Sequence, residues 1–239
     1  MSCLSADLDR FRQAIGRRLG LEFDDHNHDV LRSALEARVR ATGSTVQGYL
    51  AHLDSARGGA EEARHLAPHL TVGETYFFRD VEQLTAFEEV ALTSRLQARS
   101  SQGPVRVLSA GCASGEEPFS LAMLVQARLS GEAREVVRLL AVDVDPAALA
   151  RAREGRYSPW SLRATPEDAR RRWFRSEGAQ FVLADSIRSA VVFEERNLAA
   201  EDPAFWAPES FDVVFFRNVV MYFSPEQAPG EATLSATSD

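Results

Sequence analysis

The stretch Ser109-Ala110-Gly111-Cys112-Ala113-Ser114-Gly115-Glu116-Glu117-Pro118 constrains this chain more than any other, because of what flanks it. Val105-Arg106-Val107-Leu108 before it reads as a short buried strand, and Pro118 to Val125 after it carries helix formers with a proline near the first turn. Strand, glycine turn and helix are the opening unit of a doubly wound α/β sheet, which binds ligands at the carboxyl ends of its strands. Gly111 and Gly115 permit a tight turn and a close ligand approach, and the N–H groups at a helix start face electronegative atoms. The third glycine of a G-x-G-x-x-G fingerprint is absent, and Glu116 and Glu117 stand where a pyrophosphate would be repelled. That weighs against a nicotinamide dinucleotide. A carboxylate there suits an ammonium or hydroxyl group, as offered by a nucleoside with an amino-acid tail such as S-adenosylmethionine.

The next apolar run, Val136 to Val142, ends at Asp143, where the doubly wound plan places an acid for ribose hydroxyls. Asp145-Pro146 then opens another helix through Ala148, Leu149 and Ala152. Either acid could be the helix cap; Asp143 is expected to be the ribose ligand and Asp145 the cap.

The 239 residues, 45% of them apolar, suit one catalytic domain with a smaller accessory one. No 18-residue apolar span and no cleavable signal pattern is present, so a cytoplasmic protein without membrane insertion is expected. Cys3 and Cys112 suggest neither a disulfide framework nor a zinc site, and Cys112 reads as a small packing residue. All 27 basic residues are arginine, which excludes any lysine-dependent mechanism. A formal charge of −8 disfavours nucleic acid, and the run Arg170-Arg171-Arg172-Trp173-Phe174-Arg175 reads as a solvated helix face.

Leu4, Leu8, Phe11, Ile15 and Leu19 recur at helical spacing before Gly20, a C-cap, and a second helix runs through Leu31, Leu35 and Val39. Between them Asp24-Asp25-His26-Asn27-His28-Asp29 is expected to be a polar loop with Asp29 as N-cap rather than a metal site. Between Tyr157 and Asn197 the pattern turns to strands, Gln180–Leu183 and Ala190–Phe193.

Four segments in order resemble the CheR family of chemoreceptor methyltransferases: Thr75-Tyr76-Phe77-Phe78-Arg79, the glycine loop, Asp143-Val144-Asp145, and Phe215-Phe216-Arg217-Asn218 leading to Tyr222-Phe223. The resemblance covers residues from about 5 to 226. It implies a Rossmann-like S-adenosylmethionine-dependent domain at 91–226, with a small β-subdomain at about 157–195, behind an all-helical domain at 1–90. The implied reaction is methyl transfer from S-adenosylmethionine, leaving S-adenosylhomocysteine, to glutamate side chains of methyl-accepting chemotaxis receptors, by a monomeric enzyme.

Carried over by motif, Gly73, Thr75, Arg79, Gly111, Glu117, Asp143, Asn197, Leu198, Arg217 and Asn218 are expected to line the cofactor, and Arg79 and Tyr222 to serve the transfer. Within that set Arg79 also orients the incoming carboxylate, Glu117 meets the methionyl part, and Asn197-Leu198 lie beside the adenine. Arg32, Arg38 and Arg40 on the second helix become candidates for receptor docking. At Gly73 the family usually has asparagine, which implies weaker cofactor affinity. The sheet is expected to lack the family's last strands, and residues 227–239, small and polar without periodicity, to form a disordered tail.

Overall fold

The computed structural model describes residues 5–71, 74–98, 103–129 and 136–217, which form two compact units. The described residues up to 71 together with Asn197–Asp202 form one unit, and those from 74 to 196 together with Pro203–Arg217 form the other. The division therefore falls earlier than the boundary near 90 expected from sequence.

The helical unit contains α1 (Ser5–Leu19), a 3-10 turn (Asp25–Asn27), α2 (His28–Thr42), α3 (Val46–Asp54) and α4 (Ala56–Leu70). The helical spacing read from sequence puts Leu8, Phe11, Ile15 and Leu19 of α1 and Leu31, Leu35 and Val39 of α2 in the core. Thr45 and Ser55 cap α3 and α4 by accepting the N–H groups of Gly48 and Gly58. Asp29 is not a cap: it lies in the first turn of α2, and Asp24 instead caps the 3-10 turn by accepting from the His26 N–H. Tyr49, Leu50, Leu53 and Leu66 complete the core, and the Glu62 carboxylate is buried among them.

Arg38 points into this unit. Its Nε lies 2.6 Å from Glu62 Oε1, which also accepts the Tyr49 hydroxyl at 2.9 Å. Burial alone would raise the Glu62 pKa, but these donors outweigh it and hold the carboxyl below its ordinary value. The expectation of Arg38 as a docking residue is thereby corrected, since its guanidinium balances a buried charge; Arg32 and Arg40 face outward.

The second unit is built on a parallel four-stranded sheet of order β6-β2-β1-β7: β1 (Val105–Ala110), β2 (Val137–Asp143), β6 (Val191–Glu195) and β7 (Val213–Phe216). A separate antiparallel sheet of order β3-β5-β4 joins Arg156–Tyr157, Gln180–Leu183 and Phe174–Glu177. The run at 190–193 thus leaves the small β region in which the sequence reading placed it and pairs with β2 in the main sheet. A helix of three segments, α5 (Val81–Ala86), a π-helical stretch (Phe87–Leu92) and α6 (Thr93–Ala98), belongs to this unit, as do α7 (Glu116–Leu129) and α8 (Pro146–Glu154). The core is rich in aromatic rings: Phe77 meets Tyr157 and Phe174 edge-on at 4.7 and 5.0 Å between centroids, and Phe87 meets Phe215 at 5.5 Å. Residues 227–239 and the expected missing strands lie outside the described residues.

Candidate active site

Parallel pairing sets Ala110 beside Val142 and Phe216, so the chain following β1, β2 and β7 emerges at one end of the sheet. Gly111, Asp143 and Arg217 are the residues reached there, and the order places β1 between β2 and β7, where chain direction away from the first strand switches sides. The three residues expected to line the cofactor thus share one end of the sheet.

The loop after β1 is held by its own backbone. Gly111 and Cys112 donate N–H groups to the Val142 carbonyl at 2.8 and 3.0 Å, and Gly111 (φ 73°) and Gly115 (φ 90°) adopt left-handed conformations. A Cβ at Gly115 would stand 2.9 Å from Ala152 Cβ and 3.0 Å from the Phe119 ring, so this close helix packing demands glycine. Ala113, at φ 45°, is forced into the same region without a glycine's freedom.

Asp143 fixes that turn: its two carboxylate oxygens accept the Ala113 N–H at 2.7 Å and the Asp145 N–H at 2.8 Å. Burial raises its pKa despite these bonds. Asp145 caps α8 by accepting from Ala147 at 2.8 Å, with Pro146 at the helix start.

The two glutamates opening α7 divide their roles. Glu116 is 2% exposed and accepts from the Ser114 hydroxyl at 2.7 Å, with its pKa raised chiefly by burial. Glu117 accepts the Ser109 hydroxyl at 2.7 Å, and its other oxygen lies 3.4 Å from Arg217 Nη1. Burial pushes it up as well, and the nearby arginines Arg217 and Arg79 do not cancel that push. Burial likewise pushes the Cys112 thiol pKa up, which disfavours the reactive thiolate, and the residue packs in the core of the sheet unit.

Arg79 sits between two residues with positive φ, Phe78 (58°) and Asp80 (54°). Such backbone costs on the order of 1–3 kcal/mol per residue and persists only where the surroundings over-determine it. Here they do. Phe77 and Phe78 are buried, the Phe78 N–H donates to Ser120 Oγ at 3.0 Å, and Arg217 binds both the Asp80 carboxylate and the Arg79 carbonyl. The Arg79 guanidinium donates to the Glu74 carbonyl at 2.8 Å and lies 5.7 Å from the Tyr76 ring centroid. Thr75 is half-buried in the same segment.

The structure therefore brings Arg79, Gly111, Glu117, Asp143 and Arg217 into one connected network at the strand ends. Asn197 and Leu198 group with the helical unit instead, where the Asn197 amide donates to the Arg18 carbonyl at 2.7 Å. Gly73, Asn218 and Tyr222 lie outside the described residues.

Three participants escaped the sequence reading: Ser120, Asp80 and Tyr157, whose hydroxyl donates to the Ser114 carbonyl at 2.8 Å. Ser120 had a legible signal, a hydroxyl within the apolar run Phe119-Ser120-Leu121, whereas the others depend on long-range packing.

The network's chemistry defines its ligand. Glu117 and Asp143, when ionised, present only acceptors. Such acceptors fit a ligand bearing an ammonium and hydroxyl groups and reject a pyrophosphate.

Comparison with known proteins agrees with this chemistry. Residues 73–229 match the family domain described as "CheR methyltransferase, SAM binding domain", and residues 6–71 match "CheR methyltransferase, all-alpha domain". This chain belongs to the CheR methyltransferase family. It is an S-adenosylmethionine-dependent methyltransferase. Among CheR relatives, the "Probable chemotaxis protein methyltransferase" of Rhizobium etli is 31% identical over 208 residues, 85% of this chain and 76% of the relative. The "Chemotaxis protein methyltransferase" of Escherichia coli (strain K12) is 31% identical over 218 residues, 90% of this chain and 73% of the relative. The "Probable biofilm formation methyltransferase WspC" of Pseudomonas aeruginosa is 33% identical over 217 residues, 90% of this chain but 50% of that protein.

Proposed function

We propose that this CheR-family enzyme transfers the methyl group of S-adenosylmethionine to glutamate carboxylates of methyl-accepting chemotaxis receptors, adjusting receptor output. The observation that supports this reading is the strained backbone on either side of Arg79, whose carbonyl accepts from Arg217 while Arg217 also faces the Glu117 carboxylate. Bound S-adenosylmethionine supplies an electrophilic methyl on a sulfonium. A glutamate has an ordinary pKa of about 4.3, so near neutral pH it is already a nucleophile and needs no general base. Positioning and exclusion of water then become the protein's task.

In this reading Glu117 accepts from the cofactor's ammonium, Asp143 from its ribose, and Arg79 aligns the incoming carboxylate through its planar fork. Thr75 and Gly111 line the cofactor and Arg217 fixes Arg79 and Glu117, while the assignment of Asn197-Leu198 to the adenine rests on motif alone. Gly73, Asn218 and Tyr222 join the same assignment by motif, with Tyr222 beside the transferred methyl. Arg32 and Arg40 are the remaining candidates for docking the receptor. A cytoplasmic monomer fits the reading, and no helix among the described residues is long and apolar enough to cross a membrane.

The test supplies radiolabelled S-adenosylmethionine, a chemoreceptor cytoplasmic fragment and a panel of small carboxylic acids to the full chain. A base-labile methyl ester on the fragment is expected, lost about a hundredfold in Arg79→Ala at saturating cofactor while S-adenosylhomocysteine still binds. Transfer to the small acids alone would replace the receptor reading with a small-molecule one. Cofactor binding without any transfer would make the chain a binding protein.

A further inference from the structure

Beside Arg79, residues 158–163 form a turn tied to the active-site network. The Phe77 N–H donates to the Ser161 carbonyl at 2.9 Å. The turn exposes Trp160, which keeps 67% of its surface in water. An indole so exposed is a poor use of a large apolar ring unless it serves a contact.

Trp160 holds Arg163. The guanidinium carbon of Arg163 lies 4.2 Å from the Trp160 ring centroid and 3.6 Å from that of Tyr76, and Nη1 donates to the Trp160 carbonyl at 2.9 Å. Two aromatic rings and a carbonyl thus fix this cation in advance, which reduces the entropy lost when it meets an anion. Its present anion is Glu74, whose carboxylate lies 3.4 Å from Arg163 Nη2 and whose side chain is 64% exposed. Exposed pairs of this kind are weak and exchange readily.

Tyr76 and Glu74 each touch both arginines. Arg79 lies 5.7 Å from the same Tyr76 ring, and the Glu74 carbonyl accepts from Arg79 at 2.8 Å. Carboxylates one turn apart on a helix have Cβ atoms about 5–6 Å apart, so a single acidic segment can address both guanidiniums. The chain as a whole carries −8, which repels an acidic partner except where fixed arginines receive it.

We propose that Arg163, clamped by Tyr76 and Trp160, docks the protein substrate by receiving a second carboxylate within a helical turn of the methyl-accepting glutamate, displacing Glu74. This rests on the reading of the enzyme as a receptor-glutamate methyltransferase. The occupant is an acidic polypeptide segment, and Arg163 acts on binding while Arg79 serves the reacting group.

The experiment compares the full chain with Arg163→Gln and Arg163→Lys on a chemoreceptor cytoplasmic fragment. It repeats the comparison on the same fragment with the acids flanking the accepting glutamate changed to glutamine. Arg163→Gln should raise KM about three- to tenfold on the parent fragment with kcat, melting temperature and S-adenosylhomocysteine affinity unchanged. Lysine should restore part of the loss, and on the neutralised fragment the variants should be equal to the parent enzyme. Anisotropy of the labelled fragment in the presence of S-adenosylhomocysteine reads docking without turnover. Transfer with equal KM for parent and Arg163→Gln overturns the docking role and leaves the methyltransferase reading standing. Fragment binding that depends on Arg163 without transfer supports docking and overturns that reading, whereas neither binding nor transfer overturns both.

Discussion

Glu62 in the helical unit and Glu117 in the sheet unit are both buried carboxylates facing an arginine, yet their surroundings push them in opposite directions. Arg38 lies 2.6 Å from Glu62 and Tyr49 donates to it, so the donors outweigh burial and the carboxyl stays below its ordinary pKa. Arg217 lies 3.4 Å from Glu117 and divides its donors with Asp80 and the Arg79 carbonyl, so burial wins and the carboxyl rises. The first network is closed and serves the fold. The second is left short of positive charge, which a cofactor ammonium would complete. The sites also differ in strain: the described non-glycine residues with positive φ, Phe78, Asp80, Ala113 and Glu209, all lie in the sheet unit.

The strongest way to break the comparison is to open the closed network. Glu62→Ala leaves Arg38 with 15% of its side chain exposed and no carboxylate, and stranding a buried charge costs about 3–5 kcal/mol. The expected result is a lower denaturant midpoint, with cofactor affinity of the folded fraction unchanged. An unaltered midpoint would mean that Arg38 escapes to water and that Glu62 is not a structural pair. Acid should act on this site too. A depressed carboxyl pKa gives stability present above about 4.3 and lost as pH falls through the native value.

Glu117→Gln sharpens the contrast. Removing a charged acceptor for an ammonium should weaken S-adenosylhomocysteine binding about tenfold or more, as hydrogen bonds to charged groups are worth about 1.5–3 kcal/mol. The ligand-free protein should keep or gain stability near neutral pH. The sign follows from the raised pKa: the native state prefers the protonated acid, so the Glu117 contribution is complete below about 4.3 and is lost as pH rises through the native value. An ammonium prefers the ionised acid, so affinity for the parent should climb over that window and climb less steeply in the variant. Titration calorimetry across pH reads both slopes. Equal slopes would remove Glu117 from the ammonium site.

Parts of this contrast were legible in the residue order and parts were not. That Gly111, Asp143 and Arg217 share one end of the sheet could be read in advance, because a parallel sheet delivers the residues after its strands to one end, whatever the loops between do. The Arg38–Glu62 pair could not, because α2 and α4 meet only through tertiary packing, and the three arginines of α2 look alike by spacing. Ala190–Phe193 is a short apolar run equally suited to either sheet, and the pairing of its strand with β2 is decided at long range. The helical stretch from Val81 to Ala98 resembles the helices before it, so spacing alone groups it with them although it belongs to the sheet unit. No local preference announces positive φ at Phe78 and Asp80; the buried rings and Arg217 impose it.

The smallest effect concerns that strain. Ala113 holds φ at 45° while its N–H donates to Asp143 at 2.7 Å, so the turn trades backbone comfort for an anchored carboxylate. Glycine tolerates this conformation but loses more entropy on folding, and the opposing contributions are each about 1 kcal/mol. Ala113→Gly should therefore raise the stability of the ligand-free protein by no more than about 0.5 kcal/mol and leave cofactor affinity within about twofold. Paired thermal melts with and without S-adenosylhomocysteine measure both quantities. A stability gain with a clear loss of affinity would show that the strained alanine pre-organises the turn, so that strain as well as electrostatics separates the carboxylates of the sheet unit from the structural Glu62.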